Sequence, residues 1–264
     1  MLLIAGLVLF AALLLFMIQS QTDLLFPVHA VPAAGPLPAG AERLAVQTPD
    51  GEQLQGVHLP PEDGGDQRTL ILGFGGNAWN GQDVAEYLHQ VFPEAHVVAF
   101  HYRGYPPSTG KPSAQALMAD APLLFDEAVR RVQPDRTFAV GFSIGSGVAA
   151  SLSRQRQLDG AILVTPFDSL KAVAREMYPW LPVDLFFQHD LPAAAELSRG
   201  TTPVAILVAE HDEIIPTART TALREQVPNL VFDRTIAGAG HNDIYQRADF
   251  QSAMREARTA IASK

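Results

Sequence analysis

The chain has 264 residues, of which 47% are hydrophobic and 18% charged, a composition typical of a packed globular domain rather than a disordered or repetitive chain. Its net charge of −9 argues against nucleic acid as a partner, because binding a phosphate backbone needs clustered Lys and Arg. The absence of cysteine excludes disulfides, thiolate zinc sites and a cysteine nucleophile.

The first feature along the chain is an apolar run, Met1 to Ile18, that contains no charged side chain. A helix of this length rises about 27 Å, close to the thickness of the hydrocarbon core of a bilayer. We therefore expect residues 1–20 to form a single-pass membrane anchor and residues 21–41, which include a Pro/Ala/Gly stretch, to form a linker.

A cleaved signal peptide and a buried core helix are the alternatives for this segment. A signal peptide is disfavoured because no basic residue precedes the run, and the nearest tolerable cleavage site, after Ala30, lies far beyond it. The side of the membrane that the domain faces is left open, since the first basic residue is Arg43.

Residues 42–264 alternate between strand-like and helix-like segments, which predicts one α/β domain. Two short alternating segments flank Pro49-Asp50-Gly51 and indicate an antiparallel hairpin. Six apolar runs follow, separated mostly by amphipathic stretches, and favour a mostly parallel central sheet flanked by helices and wound with right-handed crossovers. The predicted strands are 43–48, 53–59, 68–74, 96–101, 137–142, 161–165, 204–209 and 230–236.

The segment 168–200 departs from this alternation. It combines several prolines with large apolar residues such as Met177, Trp180 and Leu185. We expect it to form a small irregular lid that borders the strand ends, where open α/β sheets bind their ligands.

The segment from Gly141 to Gly145 reads Gly-Phe-Ser-Ile-Gly and lies between an apolar strand and a predicted helix. Gly-x-Ser-x-Gly in this context is the nucleophile elbow, which predicts Ser143 as the nucleophile. The two glycines leave room for the close crossing of strand and helix. The alternative is a phosphate-binding turn of a dinucleotide fold, although the sequence lacks Gly-x-Gly-x-x-Gly at this point.

A serine nucleophile needs an imidazole base and a carboxylate that orients it. Asp212 follows the strand 204–209, and His241 lies in a glycine-rich loop after the last strand. The chain order Ser143, Asp212, His241 is the order expected for this fold, so we predict these three residues as the catalytic triad.

Two other roles are possible at the acid. Asp212 could cap the helix that begins near Pro216, and His211 with its acidic neighbours could suggest a metal site. Adjacent residues of an extended chain point in different directions, so we predict no metal and no cofactor.

The tetrahedral intermediate of acyl transfer needs backbone N–H donors in an oxyanion hole. We predict Ile144, the residue after the nucleophile, and Asn77, in the glycine-rich loop after the strand 68–74, as the donors. An ordinary glycine-rich turn is the alternative for that loop.

Six short motifs together point to one known family. They are Leu24-Leu25-Phe26-Pro27, Gly76-Asn77-Ala78, Tyr102-Arg103-Gly104-Tyr105 with Ser108, Gly110 and Pro112-Ser113, Gly141-Phe142-Ser143-Ile144-Gly145, Asp212-Glu213-Ile214-Ile215-Pro216, and Gly238-Ala239-Gly240-His241-Asn242-Asp243. In these motifs, and over nearly its whole length, the chain resembles the membrane-anchored α/β-hydrolases that include lysophospholipase-like bacterial proteins and eukaryotic protein depalmitoylases. The resemblance departs at Gly75, where the family usually has His, and at Pro106, where it usually has Gly. It implies an α/β-hydrolase fold and hydrolysis of an ester or thioester.

The function expected from these features is hydrolysis of a small-molecule or lipid acyl ester, or of a thioester, without a cofactor. An amidase or peptidase could use the same triad. From other classes, the chain could be a non-catalytic binding protein on a hydrolase fold, or a membrane tether. The sequence determines neither the acyl length nor the oligomeric state.

Overall fold

A computed structural model describes residues 2–62 and 65–264. Eight strands form one sheet in the order β1-β2-β4-β3-β5-β6-β7-β8, and β2 alone runs against its neighbours. The strands are β1 (Glu42–Gln47), β2 (Gln53–Leu59), β3 (Asp66–Phe74), β4 (Ala95–Phe100), β5 (Arg136–Phe142), β6 (Gly160–Val164), β7 (Val204–Ala209) and β8 (Leu230–Ile236). The predicted mostly parallel sheet is confirmed, and each predicted strand boundary is correct to within two residues.

Helices cover both faces of this sheet, and others lie beyond the ends of its strands. The helices are α1 (Leu2–Leu25), α2 (Gly81–Val91), α3 (Ala114–Val132), α4 (Ile144–Gln155), α5 (Leu170–Met177), α6 (Val183–Phe186), α7 (Ala193–Leu197), α8 (Thr217–Gln226) and α9 (Ala248–Ala262). Helices α3 and α4 contribute to the hydrophobic core on one face, and α2 and α9 to the core on the other.

The central strand β5 shows why the apolar runs predict a sheet that is buried on both faces. Ala139 packs in the core with α3 and α4, whereas Phe138 and Val140 pack in the core with α2 and α9. Successive side chains of a strand point to opposite faces, so a strand that is covered twice must be apolar at every position.

Helix α1 extends further than predicted. It continues to Leu25, so residues 21–25, predicted as the start of the linker, form its last turns instead. The prediction failed there because the polar residues that follow Ile18 end the apolar run without ending the helix. Among the described residues, one helix, this N-terminal one, is long and apolar enough to cross a membrane by length and composition.

The segment 168–200 contains the short helices α5, α6 and α7. Helix α7 buries Ala193, Ala194 and Leu197 in the main core. Helices α5 and α6, with the turns around them, carry exposed apolar residues and line the cavity, so they form an irregular layer above the strand ends.

Candidate active site

The predicted site residues lie in loops that follow parallel strands. Ser143 follows β5, Asp212 follows β7, His241 follows β8 and Asn77 follows β3. The carboxyl ends of parallel strands meet at one edge of a sheet, which is where open α/β folds place their ligand sites. Residues distant in the sequence therefore meet at this edge.

Ser143 occupies a sharp turn between β5 and α4. Its φ of 51° and ψ of −118° lie in a region that side chains other than glycine rarely adopt. A Cβ at Gly141 would lie 2.3 Å from the Gly145 carbonyl oxygen, and a Cβ at Gly145 would lie 2.2 Å from the Phe74 carbonyl oxygen. The backbone is too crowded at both positions for any residue but glycine.

The side chains of Ser143, His241 and Asp212 contact one another in series, each at hydrogen-bonding distance from the next. The Nε2 atom of His241 lies 3.1 Å from the Ser143 Oγ atom. The Nδ1 atom of the same ring lies 2.9 Å from both carboxylate oxygens of Asp212. All three side chains are buried, with relative exposures of 5% for His241 and 8% for Ser143 and for the Asp212 side chain.

Backbone hydrogen bonds fix Asp212 and His241, the predicted acid and base. The Asp212 Oδ1 atom accepts from the N–H groups of Ile214, at 3.0 Å, and Ile215, at 2.7 Å. The His241 N–H donates to the Glu213 carboxylate at 2.9 Å, which ties the two loops together. Glu213 was not predicted as a site residue, although its place beside the predicted acid was a signal for it.

The alternative role of Asp212 as a helix cap does not fit this geometry. The N-cap of α8 is Pro216, and no side chain caps that helix. His211 is exposed and lies 3.8 Å from Glu210, outside the buried triad. In the described parts of the chain, no three His, Asp or Glu side chains are grouped as metal ligands would be.

The loop after β3 lies beside the serine. An added Cβ at Gly76 would be 3.8 Å from the Ser143 Cβ atom. The backbone N–H groups of Asn77 and Ile144, the two predicted oxyanion donors, bond to no acceptor within the described residues, and both residues line the cavity above Ser143.

Two tyrosines hold this loop, and sequence reasoning assigned them no role. The hydroxyl of Tyr102 donates to the Gly75 carbonyl at 2.7 Å, and that of Tyr105 donates to the Asn77 carbonyl at 2.5 Å. The signal was present, because both belong to the Tyr-Arg-Gly-Tyr motif. At Gly75 itself an added Cβ would lie 2.8 Å from the Val84 side chain, which gives a local reason for glycine there.

An aromatic cluster that the sequence did not indicate lies next to the triad. Trp79, Tyr87, Phe142 and Tyr245 pack with ring centroids 5.2–6.3 Å apart. Burial raises the pKa of Tyr87 and of Tyr245 well above the usual range, so both phenols stay neutral. The cluster gives the site a rigid, uncharged wall.

A cavity of about 800 Å³ opens above Ser143 and His241. Its walls come from the Asn77 loop, from α5 and α6, and from the last three turns of α1, and most of the lining is apolar. The lining residues of α1 are Leu14, Met17, Ile18, Gln21, Leu24 and Leu25, and those of the α5 and α6 region include Val173, Met177, Leu181, Val183, Phe186 and Phe187. The arrangement can hold a long apolar group with one end at the serine.

Comparison with known sequences gives several relatives, although no protein-family model matches the chain. An uncharacterized protein of Mycobacterium tuberculosis is 30% identical over 243 residues, which are 88% of this chain and 84% of the relative. Zebrafish lysophosphatidylserine lipase ABHD12 is 33% identical over 168 residues, 56% of this chain and 44% of the lipase. Human alpha/beta hydrolase domain-containing protein 17C is 30% identical over 166 residues, 61% of this chain and 48% of that protein. The match spans about half of each of these two longer relatives.

Solved structures agree with the fold. An esterase of Pyrococcus furiosus superposes with a TM-score of 0.68 at 19% identity, covering 87% of this chain and 94% of the esterase. An alpha-beta hydrolase from Vibrio vulnificus superposes with a TM-score of 0.71 at 16% identity, covering 92% of this chain and 91% of the other. At these identities the likeness concerns the fold alone.

Proposed function

The chain belongs to the α/β-hydrolase family, and from that premise we propose that it is a serine hydrolase that cleaves acyl esters or thioesters. The observation that carries the proposal is the contact series Ser143, His241, Asp212, with distances of 3.1 and 2.9 Å between successive side chains. A buried serine on a strained turn, next to an imidazole that is itself held by a carboxylate, is the arrangement that activates a hydroxyl.

In the proposed reaction, His241 Nε2 takes the proton of Ser143 as its Oγ attacks the carbonyl carbon of the substrate. Asp212 holds the ring with its proton on Nδ1 and stabilises the imidazolium that forms. The imidazolium then protonates the leaving alcohol or thiol, and the acyl group stays on Ser143. A water molecule, deprotonated by His241, attacks the carbonyl carbon of this acyl-enzyme. The imidazolium then returns the proton to the Ser143 Oγ atom as the acyl–Oγ bond breaks, which releases the carboxylic acid and regenerates both residues.

The negative oxygen that develops in both steps needs donors that are already in place. We assign this role to the N–H groups of Ile144 and Asn77, which line the cavity and bond to no other acceptor in the described parts of the chain. Preorganised donors of this kind contribute about 3 to 4 kcal/mol each to transition-state stabilisation.

The proposed substrate is an acyl chain on a small leaving group, such as a lysophospholipid-type ester or a thioester. The apolar cavity of about 800 Å³ supports this class, because it offers far more apolar than polar contact to a ligand at the serine. The relation to a lysophosphatidylserine lipase is consistent with it. We further propose that α1 anchors the enzyme to a membrane, on the strength of its length and apolar composition.

The test is labelling of the purified protein by a fluorophosphonate probe that reacts with activated serines. We expect the wild type to be labelled, and the variants Ser143→Ala and His241→Ala to be unlabelled. Ser151→Ala is the matched control, because this buried serine lies two turns further along α4 and its hydroxyl pairs with the Gln155 side chain. A folded wild type that resists the probe would contradict the proposal and favour a non-catalytic binding protein.

A further inference from the structure

The exposed large apolar side chains of this protein are concentrated in one region. Of the fourteen found among the residues with described exposure, eight belong to α1, five lie between Met177 and Phe186, and the last, Ile214, lines the cavity. Exposed apolar residues of a soluble domain are normally scattered, whereas a continuous group marks a surface that contacts a partner or a membrane.

The apolar run of α1 overlaps the wall of the active-site cavity. The run ends at Ile18, and the cavity lining begins at Leu14, so the same turn belongs to both. The part of α1 before Leu14 comprises residues 2–13 and rises about 18 Å, well short of the roughly 30 Å of a hydrocarbon core. For α1 to span, the turns that line the cavity must also lie in the hydrocarbon.

Several polar contacts fix α1 to the layer formed by α5 and α6. The Gln21 Nε2 atom donates to the Phe186 carbonyl at 3.2 Å, and the Gln188 N–H donates to the Gln21 Oε1 atom at 2.9 Å. At the next residue, the Thr22 hydroxyl lies 2.8 Å from the His189 ring nitrogen Nε2. Because these contacts join the two elements, the depth of α1 in a membrane determines the depth of α5 and α6.

The outer surface of this layer has the composition of a membrane interface. Leu185 is 76% exposed and Trp180 is 49% exposed, with Tyr178 beside them. Trp and Tyr are enriched at the level of lipid headgroups, because their rings are apolar while their N–H and O–H groups can reach water. Among the charged residues of the same layer, Arg175 pairs with Asp184 and Glu176 pairs with Arg219. The remaining one on α5, Lys171, is half-buried.

We propose that α5 and α6 are immersed in the near leaflet of the bilayer, and that an acyl chain passes laterally from that leaflet, between α1 and α6, to Ser143. The partner of this surface is the lipid bilayer itself. The route of the acyl chain rests on the proposed function, whereas the immersion of the layer does not.

Tryptophan quenching tests the immersion. The full-length protein in phosphatidylcholine vesicles is compared with Trp180→Phe, using lipids brominated along their acyl chains. Trp180→Phe retains Trp79, the other tryptophan of the chain, so subtracting its fluorescence from that of the wild type gives the signal of Trp180. We expect the Trp180 component to be quenched at least twofold more by lipids brominated near the headgroup than by lipids brominated near the chain end. Equal quenching of wild type and Trp180→Phe would overturn the proposal.

Kinetics test the route. Leu185→Glu places a charge at an exposed position of α6, and Ser252→Glu places the same charge at an exposed position of α9, which packs on another part of the sheet. We expect Leu185→Glu to reduce hydrolysis of methylumbelliferyl oleate carried in vesicles about tenfold or more. Hydrolysis of soluble methylumbelliferyl acetate and fluorophosphonate labelling should be unchanged, and Ser252→Glu should behave as wild type.

The outcomes separate the two proposals. Unchanged oleate hydrolysis by Leu185→Glu would overturn the lateral route while leaving the serine hydrolase intact. Equal losses with both esters would also overturn it, because the substitution would then act on the site itself. Failure of the folded wild type to react with the fluorophosphonate probe would instead contradict the proposed function.

Discussion

The hydroxyl of Tyr105 donates a 2.5 Å hydrogen bond to the carbonyl oxygen of Asn77. This bond fixes the peptide on the carboxyl side of Asn77 and so limits the orientation of the loop that carries its N–H group. A residue far from the loop in the sequence thereby positions one of the two proposed oxyanion donors.

Tyr105→Phe removes only the hydroxyl of this pair. We expect kcat to fall about tenfold with little change in KM. The reason is that a less firmly held Asn77 N–H group would bind the negative oxygen of the transition state less well, while substrate binding would change little. Steady-state kinetics with a soluble ester measure both constants. Thr220→Val is the control, since it removes a comparable buried bond to the Pro166 carbonyl, and a similar fall in its kcat would contradict a specific role for Tyr105.

Gly145→Ala tests the crowding of the elbow. The new methyl group would lie 2.2 Å from the Phe74 carbonyl oxygen, so either β3 or α4 must move. We expect a loss of about 3 kcal/mol or more in the free energy of unfolding, together with loss of fluorophosphonate labelling. Gly200→Ala meets its nearest atom at 3.4 Å and should change stability by less than about 0.5 kcal/mol.

His101 should make the protein less stable in mild acid. Burial lowers the pKa of this side chain to about 4, and its Nδ1 atom accepts from the Gly81 N–H, so it is neutral in the folded state. In the unfolded chain it takes up a proton below about pH 6.5. Its contribution to stability is therefore complete above that pH and is lost as the pH falls from about 6.5 to about 4.

This lowering of the His101 pKa corresponds to a loss of about 3 kcal/mol in the free energy of unfolding between pH 6.5 and pH 4. His101→Asn keeps an acceptor near the Nδ1 position but cannot take up the proton. Melting temperatures of the detergent-solubilised protein, measured against pH, should fall less steeply for this variant than for the wild type. Parallel curves for the two proteins would show that His101 does not titrate on unfolding.

Gln21→Leu tests the connection between α1 and the layer above the site. The variant keeps a similar volume but loses the hydrogen bonds to the backbone of Phe186 and Gln188. We expect faster hydrogen exchange in residues 183–189 of the protein in vesicles, because buried N–H and C=O groups lose their partners. Gln19→Leu, an exposed position on the same helix, should leave exchange there unchanged.

The sequence was sufficient to predict the strands and the residues of the proposed triad. Phe138 and Val140 show why: a strand covered on both faces must be apolar throughout, which makes it visible in a single sequence. Ser143, Asp212 and His241 were identifiable because each follows such a strand in a fixed order. Residue type and chain order are properties of the sequence itself.

Three contacts became visible only in the tertiary structure: the hydrogen bond of Tyr105 to Asn77, the ring packing of Trp79 on Tyr245, and the hydrogen bond of Gln21 to Phe186. These pairs are 28 to 166 residues apart, and no local pattern distinguishes a tyrosine that holds a loop from one that fills a core. The sequence by itself determined which segments are strands and which residues are candidates for the triad, because periodicity and motif spacing are local. The tertiary structure decided which side chains support them and that α1 forms a wall of the cavity, because those contacts depend on how distant elements pack.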